Sequence, residues 1–249
     1  MAISGGTLRL SVVIPAYNEA GRILPYLSAI TKYLEQRSAP SEILVVDDGS
    51  TDHTATVVRR FAGETPWVHL VQLQRNTGKG GAVRTGVRAA KGLLVLIADA
   101  DGATPIAEIE RLEAALVHGA DLAIGSRYLA SRNAQYRVEA RWHRSFFGNI
   151  FNWLIQQLGL RGITDTQCGF KLFRQDVARE LFSIGRIDGY GFDLEILYVA
   201  RRRGFRISEV PINWADQPGS KVRVFRDGLR MLTDMLRVRR NYSRGCYRA

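Results

Sequence analysis

Apolar residues recur along the first half of the chain in short unbroken runs: LSVVIP at residues 10–15, ILVVD at 43–47, VHLVQL at 68–73, LLVLIA at 93–98 and DLAIG at 121–125. Runs of this length, rich in Val, Ile and Leu, predict strands buried on both faces. Between them, residues 19–36, 52–62, 79–91 and 105–118 read as helices. Thr104 followed by Pro105 predicts an N-cap and a first helical position for the last of these. The alternation predicts an α/β fold with a mostly parallel central sheet and helices on both faces. Ligands bind such sheets beyond the carboxyl ends of the strands. The loops there are PAYNEAG, DDGSTD, QRNTGKGG, DADGAT and GSRY, so every polar cluster of the first half falls on one edge.

The second half changes character. Residues 126–145 are polar and Arg-rich, and residues 146–160, FFGNIFNWLIQQLGL, carry no charge. In that uncharged stretch Phe147, Phe151, Leu154 and Leu158 share one helical face, which suits either a core helix or one lying on a membrane surface. GFKLFR and RISEVPINW predict strands, and GFDLEILYVARRRG predicts a helix ended by Gly204. The tail RVFRDGLRMLTDMLRVRRNYS predicts a basic amphipathic helix with Phe225, Leu229, Leu232 and Leu236 on one face. No repeat or low-complexity linker divides the chain, so residues 1–249 are expected to form one domain, in which 141–160 and 223–241 are the amphipathic stretches open to membrane docking.

Composition narrows the setting. Apolar residues make up 46% and charged residues 24%, a globular balance. No stretch reaches the length of a membrane span, and the N-terminus lacks the pattern of a signal peptide, so a cytoplasmic protein is expected. Cys168 and Cys246 have neither disulfide-framework nor metal-site spacing. The formal net charge of +11 favours anionic partners: phosphorylated small molecules, anionic lipid or nucleic acid.

Candidate chemistry begins at Asp99 and Asp101, one residue apart where the fourth strand ends. Side chains at i and i+2 of a strand point the same way. Two like charges there make a site for a hard divalent cation, which takes one or two carboxylates and completes its shell with water and phosphate oxygens. Asp47 and Asp48 end the second strand, where a carboxylate suits a ribose hydroxyl or a base N–H; Ser50 and Asp52 read as caps of the following helix. Lys79 precedes a helix N-terminus among glycines, well placed for an anion. NTGKGGAV matches neither a P-loop nor a full dinucleotide fingerprint, because Val83 stands where the third glycine belongs. His53, His69, His118 and His143 are scattered, and no G-x-S-x-G is present, which argues against a metallo- or serine hydrolase.

VVIPAYNE, VVDDGSTD, NTGKGGAV, DADG and GSR, in this order, resemble the family 2 glycosyltransferases of GT-A fold. ADADGAT, GSRY, RSFF, DTQCGFKLF, GFDLEILYVA and NWADQPGSK resemble more narrowly the polyprenyl-phosphate branch of dolichyl-phosphate β-glucosyltransferase type. The resemblance spans about residues 9–236. It implies a metal-dependent hexosyltransferase using Mg²⁺ or Mn²⁺. Pro15, Tyr17 and Glu19, with Asp47 or Asp48, would line the base and ribose of the nucleotide sugar, and Lys79 would approach the same nucleotide. Asp99 would sit near ribose and metal, and Asp101 would bind the cation. Arg127, Arg141 and Ser145 match residues that hold the acceptor phosphate, and Asp165 falls where a catalytic or orienting acid is placed.

The implied reaction moves glucose from UDP-glucose to a dolichyl or undecaprenyl phosphate, inverting the anomeric centre to a β-linked lipid phosphate sugar. Such a phosphate is already anionic at pH 7, so it needs positioning more than deprotonation. Because the chain starts at its first strand, docking on the inner face of the membrane is expected to be peripheral. Within this class the competing donor is GDP-mannose; galactose is also open. From other classes, a nucleotidyltransferase leaves GSR and DTQCGFK without a role. A non-catalytic basic module fits the charge but not paired carboxylates, which would repel nucleic acid, so a membrane surface and no nucleic acid is the expectation.

Overall fold

The computed structural model describes residues 8–37, 39–139, 154–219 and 224–248. The predicted strands form at β1 (Leu10–Ala16), β2 (Ser41–Asp47), β3 (Val68–Gln72), β4 (Leu94–Ile97) and β5 (Leu122–Ser126). Two short strands, β6 (Val138–Glu139) and β9 (Trp214–Ala215), pair in a small second sheet. β7 (Lys171–Arg174) and β8 (Ile207–Pro211) complete the main sheet, which among the described residues has seven strands in the order β3-β2-β1-β4-β7-β5-β8. Every pairing in it is parallel except those of β7, which runs antiparallel between β4 and β5. The expected mostly parallel α/β architecture is therefore present.

Reversal of β7 matters for the site. A strand running against its neighbours begins where they end, so the chain entering β7, residues 164–170, arrives at the carboxyl edge of the sheet. DTQCGF is delivered to the same edge as the loops of the first half.

Period-2 alternation splits each central strand between two cores. Val13, Val46, Val95 and Ile97 face one cluster, filled by α3 (Lys79–Ala89), α6 (Gln175–Ile184) and α7 (Phe192–Arg202). Val12, Ile14, Ile43, Val45 and Leu96 face the other, filled by α1 (Ile23–Gln36) and α4 (Ile109–Val117). α2 (Thr54–Glu64) adds Val58 to that second cluster. α3 approaches β1 so closely that a Cβ on Gly86 would lie 2.3 Å from Val13 Cγ1. Fully burying each such Val, Leu or Ile contributes about 1.5–3 kcal/mol, so the sheet is fixed by its two apolar faces.

Two local expectations change. Pro105 is extended at ψ 137°, and a 3₁₀ turn over Ile106–Glu108 precedes α4, so Thr104 is not the cap. In the uncharged segment, residues 146–153 lie outside the described residues. Its end, Gln156–Leu160, is an irregular π turn that stops at Gly159 with φ 125°, and Ile155 and Leu160 are buried in the core. That end is core rather than surface.

The expected C-terminal helix forms as α8 (Val224–Ser243), and it carries a second apolar face that the sequence reading did not single out. Met231, Met235 and Val238 pack into the core and Leu232 is half-buried against it. Leu229 and Leu236 stand 67% and 55% exposed. Among the described residues no helix is long and apolar enough to cross a membrane.

Candidate active site

A cavity of about 730 Å³ opens at the carboxyl edge of β1, β2 and β4. Pro15, Tyr17, Glu19, Asp48, Lys79, Asp99 and Asp101 all line it, as the sequence expectation placed them together. Asp47 does not: it is wholly buried, and its Oδ1 accepts from the Ser50 backbone N–H at 3.2 Å.

Asp48 is committed to the neighbouring loop. Its carboxylate accepts from Thr77 N and Oγ1, each at 2.7 Å, and from Gly78 N at 2.8 Å. It therefore shapes the turn that presents Lys79. Gly78 has φ 97°, and a Cβ there would meet Asp188 O at 2.5 Å, so glycine is required at this turn. Asp52 accepts from the backbone N–H of Thr54 at 2.9 Å, at the start of α2; Ser50 instead accepts from Asn18 N at 2.8 Å.

Lys79 Nζ lies 2.6 Å from Asp99 Oδ1. Burial opposes the charge on Lys79, but Asp99 and Asp193 more than offset it and hold the ammonium above the usual lysine range. Asp101 stands next to this pair, its Oδ1 accepting from Ala103 N at 3.0 Å. Burial first, then Asp99, raises its carboxyl above the ordinary range. A carboxyl strained in this sense binds a cation favourably, because the cation relieves the like-charge repulsion. Among the described residues no three His, Cys, Asp or Glu side chains converge on a metal position. Two carboxylates and an open cavity fit a hard divalent ion that draws its remaining ligands from water and phosphate.

Gly169 explains how β7 enters the site. A Cβ at that position would lie 1.9 Å from Asp99 Oδ2, so the carboxylate rests where only glycine leaves room. Four residues upstream, Asp165 is 4% exposed and grips Arg127. Its Oδ2 accepts from Arg127 N at 2.9 Å and Nε at 2.7 Å, and its Oδ1 from Nη2 at 2.6 Å. Burial works against the Asp165 charge, yet Arg127 outweighs it and holds the carboxyl below the ordinary range. Glu209 fixes the loop beneath, accepting from Asp165 N at 2.7 Å and Thr164 N at 2.9 Å. The guanidinium of Arg127 also lies 5.3 Å from the Trp214 ring centroid. Arg127 opens the one-turn helix α5 (Arg127–Ser131), whose N-cap Ser126 accepts from Leu129 N.

A further ion pair supports the site from below. Lys171, 2% exposed, lies on the same strand face as Phe173, and its Nζ meets Asp193 Oδ1 of α7 at 2.5 Å. Arg141 and Ser145 lie outside the described residues.

Sequence reasoning missed part of the lining. Arg22 reaches the cavity from the start of α1, paired with Glu19 and donating to Pro218 O at 2.8 Å. Tyr190 and four residues of α8, Asp227, Arg230, Met231 and Asp234, also line it. Their spacing of three, four and seven is a helical face, visible in the sequence but not separable there from an ordinary solvated one.

A mostly parallel sheet with strand-end carboxylates beside a cavity of this size suits a protein that binds a nucleotide and a divalent cation. The sequence profile of glycosyl transferase family 2 matches residues 11–182, and the chain belongs to that family. It is 37% identical over 252 residues to dolichyl-phosphate β-glucosyltransferase of Dictyostelium discoideum, covering 96% of this chain and 76% of that one. With the enzymes of that name from Mus musculus and Drosophila melanogaster the identities are 38% and 39%, each over 97% of this chain and 78% of the relative. Among solved structures, mannosyl-3-phosphoglycerate synthase from Rubrobacter xylanophilus aligns with a TM-score of 0.69 at 22% identity, over 96% of this chain and 76% of that one. Glucosyl-3-phosphoglycerate synthase from Mycobacterium tuberculosis, crystallised with Mn²⁺, UDP-glucose and phosphoglyceric acid, aligns at 0.67 and 20% identity, over 92% and 79%. The fold is GT-A, and the protein is a glycosyltransferase.

Proposed function

We propose that the protein transfers glucose from UDP-glucose to a polyprenyl phosphate, dolichyl or undecaprenyl, with inversion to a β-linked lipid phosphate sugar. The observation that carries this reading is the pairing of two sites at one sheet edge: the Asp99–Asp101 carboxylates beside Lys79, which suit a cation with its diphosphate, and the Arg127 clamp, which suits a phosphate. Asp99 is near enough for its charge to act on Arg127. The names of the relatives support the acceptor class. The neighbour holding Mn²⁺ and UDP-glucose supports a UDP-sugar and a divalent ion, Mg²⁺ or Mn²⁺.

Pro15 and Tyr17 wall the donor pocket, and Asp48 holds the loop that carries Lys79. Asp99 and Asp101 would hold the cation, which when bound supplies Lewis-acid charge compensation at the departing diphosphate. Lys79 adds a second positive charge there. Arg127 offers its remaining donors to the acceptor phosphate, oriented by Asp165 as a positioning residue. Both its oxygens accept from Arg127, which favours the orienting role for Asp165 over that of a base. None is required, since a phosphate monoester with a second pKa of about 6 is already a dianion in large part at neutral pH. Attack by its oxygen on the anomeric carbon breaks the bond to the diphosphate and inverts that carbon. The same charge pattern gives a nucleotidyltransferase no use for the Arg127 clamp.

The acceptor is a lipid, so the protein is proposed to dock peripherally on the cytoplasmic face of a membrane. Leu229 and Leu236 of α8, flanked by Arg237, Arg239 and Arg240, supply one apolar and one electrostatic anchor. Kinetics of Arg127→Ala test the site assignment: the KM for polyprenyl phosphate should rise at least tenfold with the KM for UDP-glucose little changed. Equal effects on both substrates would contradict it.

A further inference from the structure

Among the described residues three cations line the cavity, and two are engaged. Lys79 pairs with Asp99, and Arg22 pairs with Glu19. The guanidinium of Arg230, from α8, makes no hydrogen bond or ion pair among the described residues, although its charge is felt by Asp234 one helical turn on. A guanidinium at the wall of a nucleotide-sized cavity, not spent on a carboxylate, keeps its planar fork of donors for an oxyanion.

Its placement is fixed by packing rather than by a loose tail. Met231, Met235 and Val238 anchor α8 in the core at 9%, 0% and 0% exposure. That register turns Asp227, Arg230 and Asp234 toward the cavity, because residues three and four apart share a face. The same register leaves Leu229 and Leu236 outward. One rigid helix thus presents a cation to the cavity and leucines to solvent.

We propose that Arg230 is a phosphate-binding residue of the donor pocket, contacting the diphosphate of the nucleotide sugar from the C-terminal helix. The inference rests on the donor reading above and goes beyond it, since neither the strand-end loops nor the sequence motifs point to α8. The cavity walls hold Glu19, Asp48, Asp99, Asp101, Asp227 and Asp234. A diphosphate entering so acidic a space needs cations to meet it, and among the described residues of the lining Arg230 is the one whose guanidinium is unpaired.

Calorimetric titration of the whole protein with UDP and with uridine, in Mn²⁺, tests this, using wild type, Arg230→Ala and Arg230→Lys with melting curves for each. Loss of a charge-assisted hydrogen bond should weaken UDP about tenfold or more in Arg230→Ala. Uridine affinity should be unchanged, and Arg230→Lys should recover part of the loss because the charge survives. Unchanged UDP affinity in Arg230→Ala with a native melting curve would overturn the proposal. So would an equal loss for uridine, which would place the effect on the nucleoside. A rise in the KM for polyprenyl phosphate with UDP binding intact would move Arg230 to the acceptor and contradict the donor assignment. Wild-type binding of GDP but not UDP would fail the UDP reading alone; the variant comparison would then run with GDP and guanosine.

Discussion

Lys79 and Asp99 close on each other at 2.6 Å across the base of the cavity, one from the start of α3 and the other from the end of β4. The contact joins the two groups that the reaction would place at the diphosphate and at the cation. Lys79 neutralises one of two adjacent carboxylates, which makes the pair Asp99 and Asp101 tolerable in a partly buried wall.

Lys79→Met should therefore act on both. The KM for the nucleotide sugar is expected to rise and kcat to fall, together lowering kcat/KM at least 100-fold, while the melting temperature changes by only a few degrees. Steady-state kinetics beside a thermal melt check this. A large loss of stability with unaltered kinetic constants would make Lys79 a structural residue.

Asp101→Asn should reduce transfer to background and weaken Mn²⁺ binding while leaving the fold intact. Manganese titration followed by electron paramagnetic resonance, together with the melting curve, is the check. Retained activity with a native melt would remove Asp101 from the cation site.

Gly169→Ala places a Cβ where Asp99 Oδ2 now lies, 1.9 Å from it in the present geometry. The carboxylate must move, and a displacement of about 1 Å at a reacting centre costs about 100-fold in rate. Activity should drop on that scale with secondary structure preserved by circular dichroism. Full activity would show that Asp99 is not required where it stands.

The Arg127–Asp165 pair carries a pH signature. Asp165 is held below the ordinary carboxylate value of 3.8, so its contribution to stability is fully present above that value. It is lost as the pH falls further, through the depressed value in the folded protein. Asp165→Asn leaves Arg127 without its counter-charge, and breaking a buried pair from one side costs about 3–5 kcal/mol at neutral pH. The gap to wild type should narrow below pH 3.8. Denaturant unfolding across pH measures it, and a gap that stayed constant would show that the pairing is not what stabilises the loop.

Membrane docking through α8 predicts that charge reversal at Arg237, Arg239 and Arg240 weakens binding to anionic vesicles. Each arginine near such a surface is worth about 1 kcal/mol, so sedimentation should fall more than 100-fold in apparent affinity. Unchanged sedimentation would take α8 out of the docking model.

Much of the site was legible because it sits on loops between strongly apolar strands. Asp48, Lys79, Asp99 and Asp101 come to one cavity for the simple reason that parallel strands end together. The direction of β7 was not legible, since a buried apolar run such as KLFR reads the same whichever way it pairs. Its reversal is what brings Gly169 to Asp99 and Asp165 to the sheet edge. Asp47 and Asp48 were indistinguishable in sequence; both are buried, and the pleat turns only Asp48 to the cavity. On α8 the sequence pointed to the face of Phe225, Leu229, Leu232 and Leu236; the helix carries a second apolar face, Met231, Met235 and Val238, and only tertiary packing shows that this one enters the core. Arg22 and Arg230 were hidden among many surface arginines, and no spacing rule marks a cation that bends into a pocket.

The most direct measurement is transfer of labelled sugar into an organic-extractable lipid, with UDP-glucose and GDP-mannose as parallel donors, undecaprenyl or dolichyl phosphate as acceptor, and Mn²⁺ or Mg²⁺ present. Label recovered from UDP-glucose, and lost on chelating the metal, is the predicted result. Label from GDP-mannose alone, or none from either donor, would contradict it.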